Sequence, residues 1–249
     1  MVMSAALDIR RSSERFTTAL PWLTSRHSFS FGPHYDPANT GFAQLVAHNA
    51  DVLAPGGGFG PHPHRDVEIL TWVLQGARQH EDDQGNHGLL TPGMVQCVSA
   101  GRGIVHSEHN ASTAQPLHLV QLWVLPDRRG GAPSYVQRDV SAELARGGLV
   151  RLAAGRPAGA ALLLQQPGAV LWAARLAAGE PLALPVAAAL HLYVAAGTVD
   201  LEREPELDPE RDPGAGRLRP GDAVRLTAAG AVGLRAHTAA EILVYEMTR

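Results

Sequence analysis

The sequence predicts an all-β protein built as two jelly-roll β-barrels with few short helices, and three observations carry that prediction. Short apolar runs or alternations recur at 42–48, 67–74, 94–98, 117–124, 161–165, 170–176, 190–195, 223–226 and 242–245, lengths that suit strands better than helices. Gly and Pro, 26 and 18 residues, are spread along the whole chain and punctuate those runs as turns. One order of features also occurs twice, about 120 residues apart.

In the first copy Thr71-Trp72-Val73-Leu74-Gln75-Gly76 precedes Pro92-Gly93-Met94-Val95 and then Ala100-Gly101-Arg102-Gly103-Ile104-Val105. In the second, His191-Leu192-Tyr193-Val194-Ala195-Ala196-Gly197 precedes Pro220-Gly221-Asp222-Ala223-Val224 and then Ala229-Gly230-Ala231-Val232-Gly233-Leu234. Each reads as strand, turn glycine, strand, Pro-Gly turn, strand, glycine turn and strand, a meander that closes into a jelly roll. The charged, proline-rich stretch 202–217 lengthens the second copy and reads as an exposed loop. Residues 140–146 suit one short helix, and periodicity fades between Asp139 and Arg156. The expected domains are therefore 1–140 and 150–249, stacked on each other.

The 249 residues, 45% hydrophobic and 18% charged, are enough for sizeable cores. A net charge of -3 is too small to attract polyanions, so direct nucleic-acid binding is not expected. Cys97 is the single cysteine, and the N-terminus lacks an apolar leader, which together predict a reducing cytoplasm. Apolar stretches such as 183–196 are broken by Pro185 and His191 and do not reach membrane-spanning length.

His62-Pro63-His64 carries the first chemical signal. Side chains two apart on an extended chain share a face, so both imidazoles can reach one ion. With 12 histidines, chance alone supplies about half a His-x-His, so the pair needs partners. His106 and Glu108, again two apart, supply them and complete a shell of three nitrogens and one carboxylate. That shell suits one divalent ion such as Fe(II), Mn(II), Ni(II) or Zn(II), with Cu and Co also admitted, and leaves positions open for a substrate. Glu68 shares the face of His62 and His64 by the same period and is a rival carboxylate. Counting from the shared glycines sets Arg235 opposite His106, and Ala183 with Pro185 opposite His62 and His64, so the second barrel is expected to lack metal ligands.

Gly56, His62-x-His64, Glu68 and Gly76 resemble the first cupin motif; Pro92-Gly93, Gly101, Gly103, His106 and Asn110 resemble the second. More narrowly, His62-Pro63-His64-Arg65-Asp66-x-Glu68, His80-Glu81-Asp82 and Ser99-Ala100-Gly101-Arg102-Gly103-Ile104-x-His106-Ser107-Glu108 are similar to the pirin family. So are His27-Ser28-Phe29-Ser30-Phe31 and Tyr35-Asp36-Pro37. The resemblance covers roughly the first 140 residues. It implies a double cupin with iron, as Fe(II), in the N-terminal barrel on His62, His64, His106 and Glu108, and it favours Glu108 over Glu68 as the ligand.

The resemblance further implies a quercetin 2,3-dioxygenase that cleaves flavonol-like aromatic enols with O2, Glu108 serving as the catalytic base. A second expectation from the same family is a redox-responsive iron-binding regulator with a protein partner and no turnover. A third is a metal-stabilised barrel acting on an unrelated metabolite. The remaining histidines read as surface or hydrogen-bonded residues, Cys97 as a packed apolar side chain, and Asn110 as turn chemistry.

Overall fold

The structure, a computed structural model, describes residues 6–156, 159–202, 216–228 and 230–248. It is almost entirely strand, with a 3-10 turn at Ser12–Glu14 and one helix, α1, at Ser141–Leu144 inside the stretch expected to be helical. The segment 203–215, which holds most of the expected exposed loop, lies outside the described residues.

Contacts divide the chain into two compact units whose limits differ from the expected 1–140 and 150–249. One unit comprises Arg15–Ser141 with Ala153–Pro167, the other Met1–Glu14, Ala142–Leu152 and Gly168–Arg249. The N-terminal strand β1 (Ala6–Arg10) pairs with a late strand of the chain, a long-range pairing that local pattern does not encode.

The first unit holds β2 (Phe16–Leu20), β3 (Leu23–His27), β4 (Leu45–Leu53), β5 (Gly58–His64), β6 (Glu68–Gln75), β7 (Arg78–Asp82), β8 (His87–Leu90), β9 (Met94–Ser99), β10 (Ile104–Asn110), β11 (Leu117–Val124) and β12 (Ser134–Asp139). One sheet runs β12-β9-β6-β11-β4-β3-β2, the other β5-β10-β7-β8, as in a jelly roll. Across the large sheet Leu23, Leu53 and Leu117 lie in register. With Val73, Leu90 and Leu119 they form an apolar cluster between strands. Two and four residues further along β3 and β4 the inward side chains turn polar: Ser25 and His27, Asp51 and Asn49.

β13 (Val150–Ala154) carries the chain across the unit boundary, and β14 (Leu162–Leu163) pairs in parallel with its end. The second unit adds β15 (Ala169–Leu176), β16 (Pro181–Ala183), β17 (Ala189–Ala196), β18 (Val199–Glu202), β19 (Arg217–Leu218), β20 (Ala223–Thr227), β21 (Gly233–Ala236) and β22 (Ala240–Met247). Its sheets run β1-β20-β17-β22-β15-β13 and β16-β21-β18-β19, repeating the first unit's plan. Here the expected residue correspondence is off by one. The inward pairs are Leu182 with Leu234 and Leu201 with Leu234, while Arg235 is exposed and paired with Glu202 at 2.9 Å. Because successive side chains alternate faces, that single step exchanges interior for surface.

Gly101 is fixed by its surroundings: its φ is 48°, and an added Cβ would collide with the Gly131 carbonyl oxygen. It lies in the turn ahead of β10, which carries His106. Gly101→Ala is expected to lower unfolding free energy by about 3 kcal/mol in denaturant titrations, combining left-handed strain with the collision.

Candidate metal centre

β5 and β10 pair antiparallel with His62 directly opposite His106 and His64 opposite Ile104. Between His106 and Glu108 the register shifts, two residues of β5, Gly60 and Pro61, standing against Ser107. Such a bulge tolerates a proline that has no N–H for the ladder. It also lets His62 Nδ1 donate to the Gly60 carbonyl oxygen at 2.8 Å. That bond puts a proton on His62 Nδ1 and turns Nε2 toward His106.

His62, His64 and His106 bring one ring nitrogen each within 4.8 Å of one another. No other group of three or more His, Cys, Asp or Glu does so among the described residues. The Nε2 atoms of His62 and His106 are 3.1 Å apart. Two nitrogens bound at about 2.1 Å to one ion, roughly a right angle apart, have that separation. Burial, followed by the charge of His62, drops the His64 pKa to about 4. Burial drops that of His106 to about 3, against the pull of Glu108. Both rings are neutral at pH 7, the state a metal ligand needs. The donor set thus fits a divalent transition-metal ion.

Glu108 lies buried on the same strand, its Oε1 3.7 Å from His106 Nε2. Arg78, itself fully buried, donates to that oxygen and to Gln96 Oε1. Gln121 Nε2 donates to both carboxylate oxygens at 3.1 and 3.0 Å, and Trp123 Nε1 fixes the amide by donating to Gln121 Oε1 at 2.8 Å. Burial alone would raise the Glu108 pKa, but Arg78, then His106 and His62, outweigh it and hold the carboxyl at about 2. Glu68 is turned elsewhere: its Oε2 accepts the Gln165 backbone N–H at 2.8 Å, and Ser99 bonds the same carboxyl. Of the two rivals, Glu108 is the one the structure sets beside the histidines.

Several contributors escaped the sequence reading. His27, Asn49, Gln121, Thr71, Gln96 and Gln137 lie in one register row across six strands. Three of them, Thr71, Gln96 and Gln121, interrupt apolar runs, and that interruption was the available signal. Asp51 is buried beside this row and accepts a hydrogen bond from Ser25 Oγ. Burial raises its pKa to about 7, Ser25 opposing and Glu108 adding. Asn110, by contrast, serves the turn as expected: its side chain bonds the Ala54 and Gln115 carbonyls and the Ser112 N–H.

Two jelly-roll units, one with convergent histidines on paired strands, define a bicupin. The Pirin family profile matches residues 9–124. A Mycobacterium tuberculosis protein named "Putative quercetin 2,3-dioxygenase" is 49% identical over 246 residues, 98% of this chain and 96% of its own length. An Escherichia coli protein named quercetin 2,3-dioxygenase is 47% identical over 130 residues, 52% of this chain and 56% of its own. The crystal structure of the bacterial pirin YhhW from Escherichia coli in complex with nickel(II) superposes with a TM-score of 0.85 at 31% identity, covering 97% of this chain and 99% of that one. The chain belongs to the pirin family.

Two outcomes test this geometry. Arg78→Leu leaves a buried carboxylate without its partner and is expected to destabilise the fold by about 3–5 kcal/mol, a loss that adding Glu108→Gln partly restores. In metal-free protein the raised pKa of Asp51 means the folded state holds its proton longer than the unfolded chain, so stability contributed there falls as pH rises from about 4 to about 7. Asp51→Asn is expected to gain on wild type across that window, by at most about 1.4 kcal/mol per pH unit, and to run parallel above it.

Proposed function

We propose that this pirin is a metal-dependent dioxygenase cleaving flavonol-like aromatic enols with O2. It would hold one divalent ion, Fe(II) foremost, on His62, His64, His106 and Glu108. The observation that carries the reading is the convergence of three imidazoles beside a buried, ionised carboxylate, with His62 partly exposed. The names of the relatives support the activity, and nickel(II) in YhhW supports a single divalent ion. The ion, when bound, would supply Lewis acidity and an open coordination position for an oxygen donor.

The chain's own residues do the rest. His62 and His106, opposite each other on paired strands, fix two donors; His64 adds a third from the same face. Arg78 and Gln121 keep Glu108 ionised and oriented. With a pKa of about 2, Glu108 is ionised and free to accept a proton, and we assign it that role toward an enolic hydroxyl. A cleft of about 440 Å³ borders His64, but Pro63 and Val105 in its lining face outward from β5 and β10, so it meets the centre only at that histidine. No helix among the described residues is long and apolar enough to cross a membrane. A cytoplasmic location is proposed on the single cysteine of the sequence.

Metal analysis of protein purified without added metal, paired with oxygen uptake on a flavonol panel, tests the proposal. About one ion per chain is expected, with oxygen uptake matching flavonol loss, and His62→Ala should abolish both. Equal flavonol loss with and without air would refute the dioxygenase.

A further inference from the structure

His80 and Asp82 have no part in the reading above, yet they are among the most constrained side chains in the first unit. Both lie on β7, where Asp82 stands opposite His106 and His80 opposite Glu108. Asp82 Oδ2 is 3.0 Å from His80 Nε2. The same carboxylate accepts from the backbone N–H groups of Gln84 and Asn86 and from Asn86 Nδ2, which ties it to the turn after β7. Burial opposes its charge, but the bonds from His80, Asn86 and Gln84 prevail and keep it ionised. An ionised carboxylate only accepts, so the His80 proton must sit on Nε2. With Nε2 committed to Asp82, Nδ1 is the ring nitrogen left to accept, and it is buried without a hydrogen-bond partner. Tyr135 stacks on the ring at 4.6 Å and limits its movement.

His106 has the complementary need. Its Nε2 faces His62 Nε2, so as a ligand it carries its proton on Nδ1. That Nδ1 is also buried without a partner, whereas the Nδ1 of His62 has the Gly60 carbonyl. The two rings are adjacent, with centroids 5.3 Å apart and planes at 72°. A linear N–H···N bond of roughly 3 Å between two imidazoles spans about that centroid distance, so the two rings are already spaced for it.

We propose that Asp82 and His80 form a positioning relay for His106, with His80 Nδ1 accepting the His106 Nδ1–H when His106 holds the ion. This rests on the metal reading above. The relay orients the ligand ring and strengthens it as a donor, as outer partners of metal-bound histidines do.

Zinc-loaded, nitrogen-15-labelled protein tests this by NMR of the histidine rings. His80 is expected as the Nε2–H tautomer, with a slowly exchanging His106 Nδ1–H scalar-coupled across the bond to His80 Nδ1. His80 found with its proton on Nδ1, or no coupling in zinc-loaded protein, overturns the relay. In chelator competition His80→Ala is expected to weaken zinc binding about 10- to 100-fold, with His80→Gln, which restores an acceptor, recovering most of it. The same loss should raise the Fe(III)/Fe(II) potential, which a purely structural residue would not shift in a folded variant. Affinity within about two-fold of wild type in folded His80→Ala counts against the relay. If that variant does not fold, Asp82→Asn replaces it, with about tenfold weakening expected and none refuting. Wild-type protein that takes up no zinc sinks the metal reading and the relay together, while uptake without the coupling sinks the relay alone.

Discussion

The register between β5 and β10 governs everything the first unit presents to a ligand. With His62 opposite His106, three inward positions on two strands become imidazoles and the outward positions between them become Pro63 and Val105. A slip of one residue would bury those and expose the histidines. Two local features hold the register. The bulge at Gly60 and Pro61 absorbs one extra residue, and Gly58, where any side chain would strike the His109 ring, allows close approach at the far end. The bulge also supplies the carbonyl that sets the His62 tautomer, so strand geometry and ligand chemistry share one cause.

Placing a carboxylate in that interior costs more than placing the imidazoles, because neutral rings lose little on burial and an ion loses much. Arg78 and Gln121 are the compensation, and they in turn need Gln96 and Trp123 to be held. Two members of the polar row across the large sheet thus support the buried charge, Gln121 directly and Gln96 through Arg78. The second unit shows the alternative from the same plan: Leu182, Leu201 and Leu234 meet where the first unit has its site strands, and Leu192, Val224 and Val244 of its large sheet join them in one apolar cluster.

Much of this was legible in the sequence. Strands buried on both faces, such as β6, β11 and β17, read as mostly apolar runs broken only at single polar positions such as Thr71, Gln121 and His191. Strands such as β5, β7 and β12 did not, because their residues alternate around polar or functional side chains and carry no apolar signature. The His-x-His and His-x-Glu pairs were legible because period two is a local property. What was hidden depends on distant pairing: β1 joining a strand over 200 residues away, Arg78 reaching Glu108, and the parity of the second repeat, where turn lengths differ and counting from glycines lands one residue out. The different surroundings of Glu68 and Glu108 also needed the fold, since only the fold brings Gln165 to one and Arg78 to the other.

Charge balance explains why such an interior favours a cation. Glu108 and Arg78 cancel, and His64 and His106 are neutral at pH 7. Asp51, with a pKa of about 7, is only partly ionised at neutrality, and Glu108 is one reason for its reluctance. A second anion in this space would add to the repulsion from Glu108 that, after burial, raises the Asp51 pKa. A dication would relieve it, meeting lone pairs on the imidazoles, a full charge on Glu108 and a further carboxyl able to ionise in response. A preference for positive charge would therefore come from residues on both sheets of the barrel, Glu108 on one and Asp51 on the other, and not from the three histidines alone.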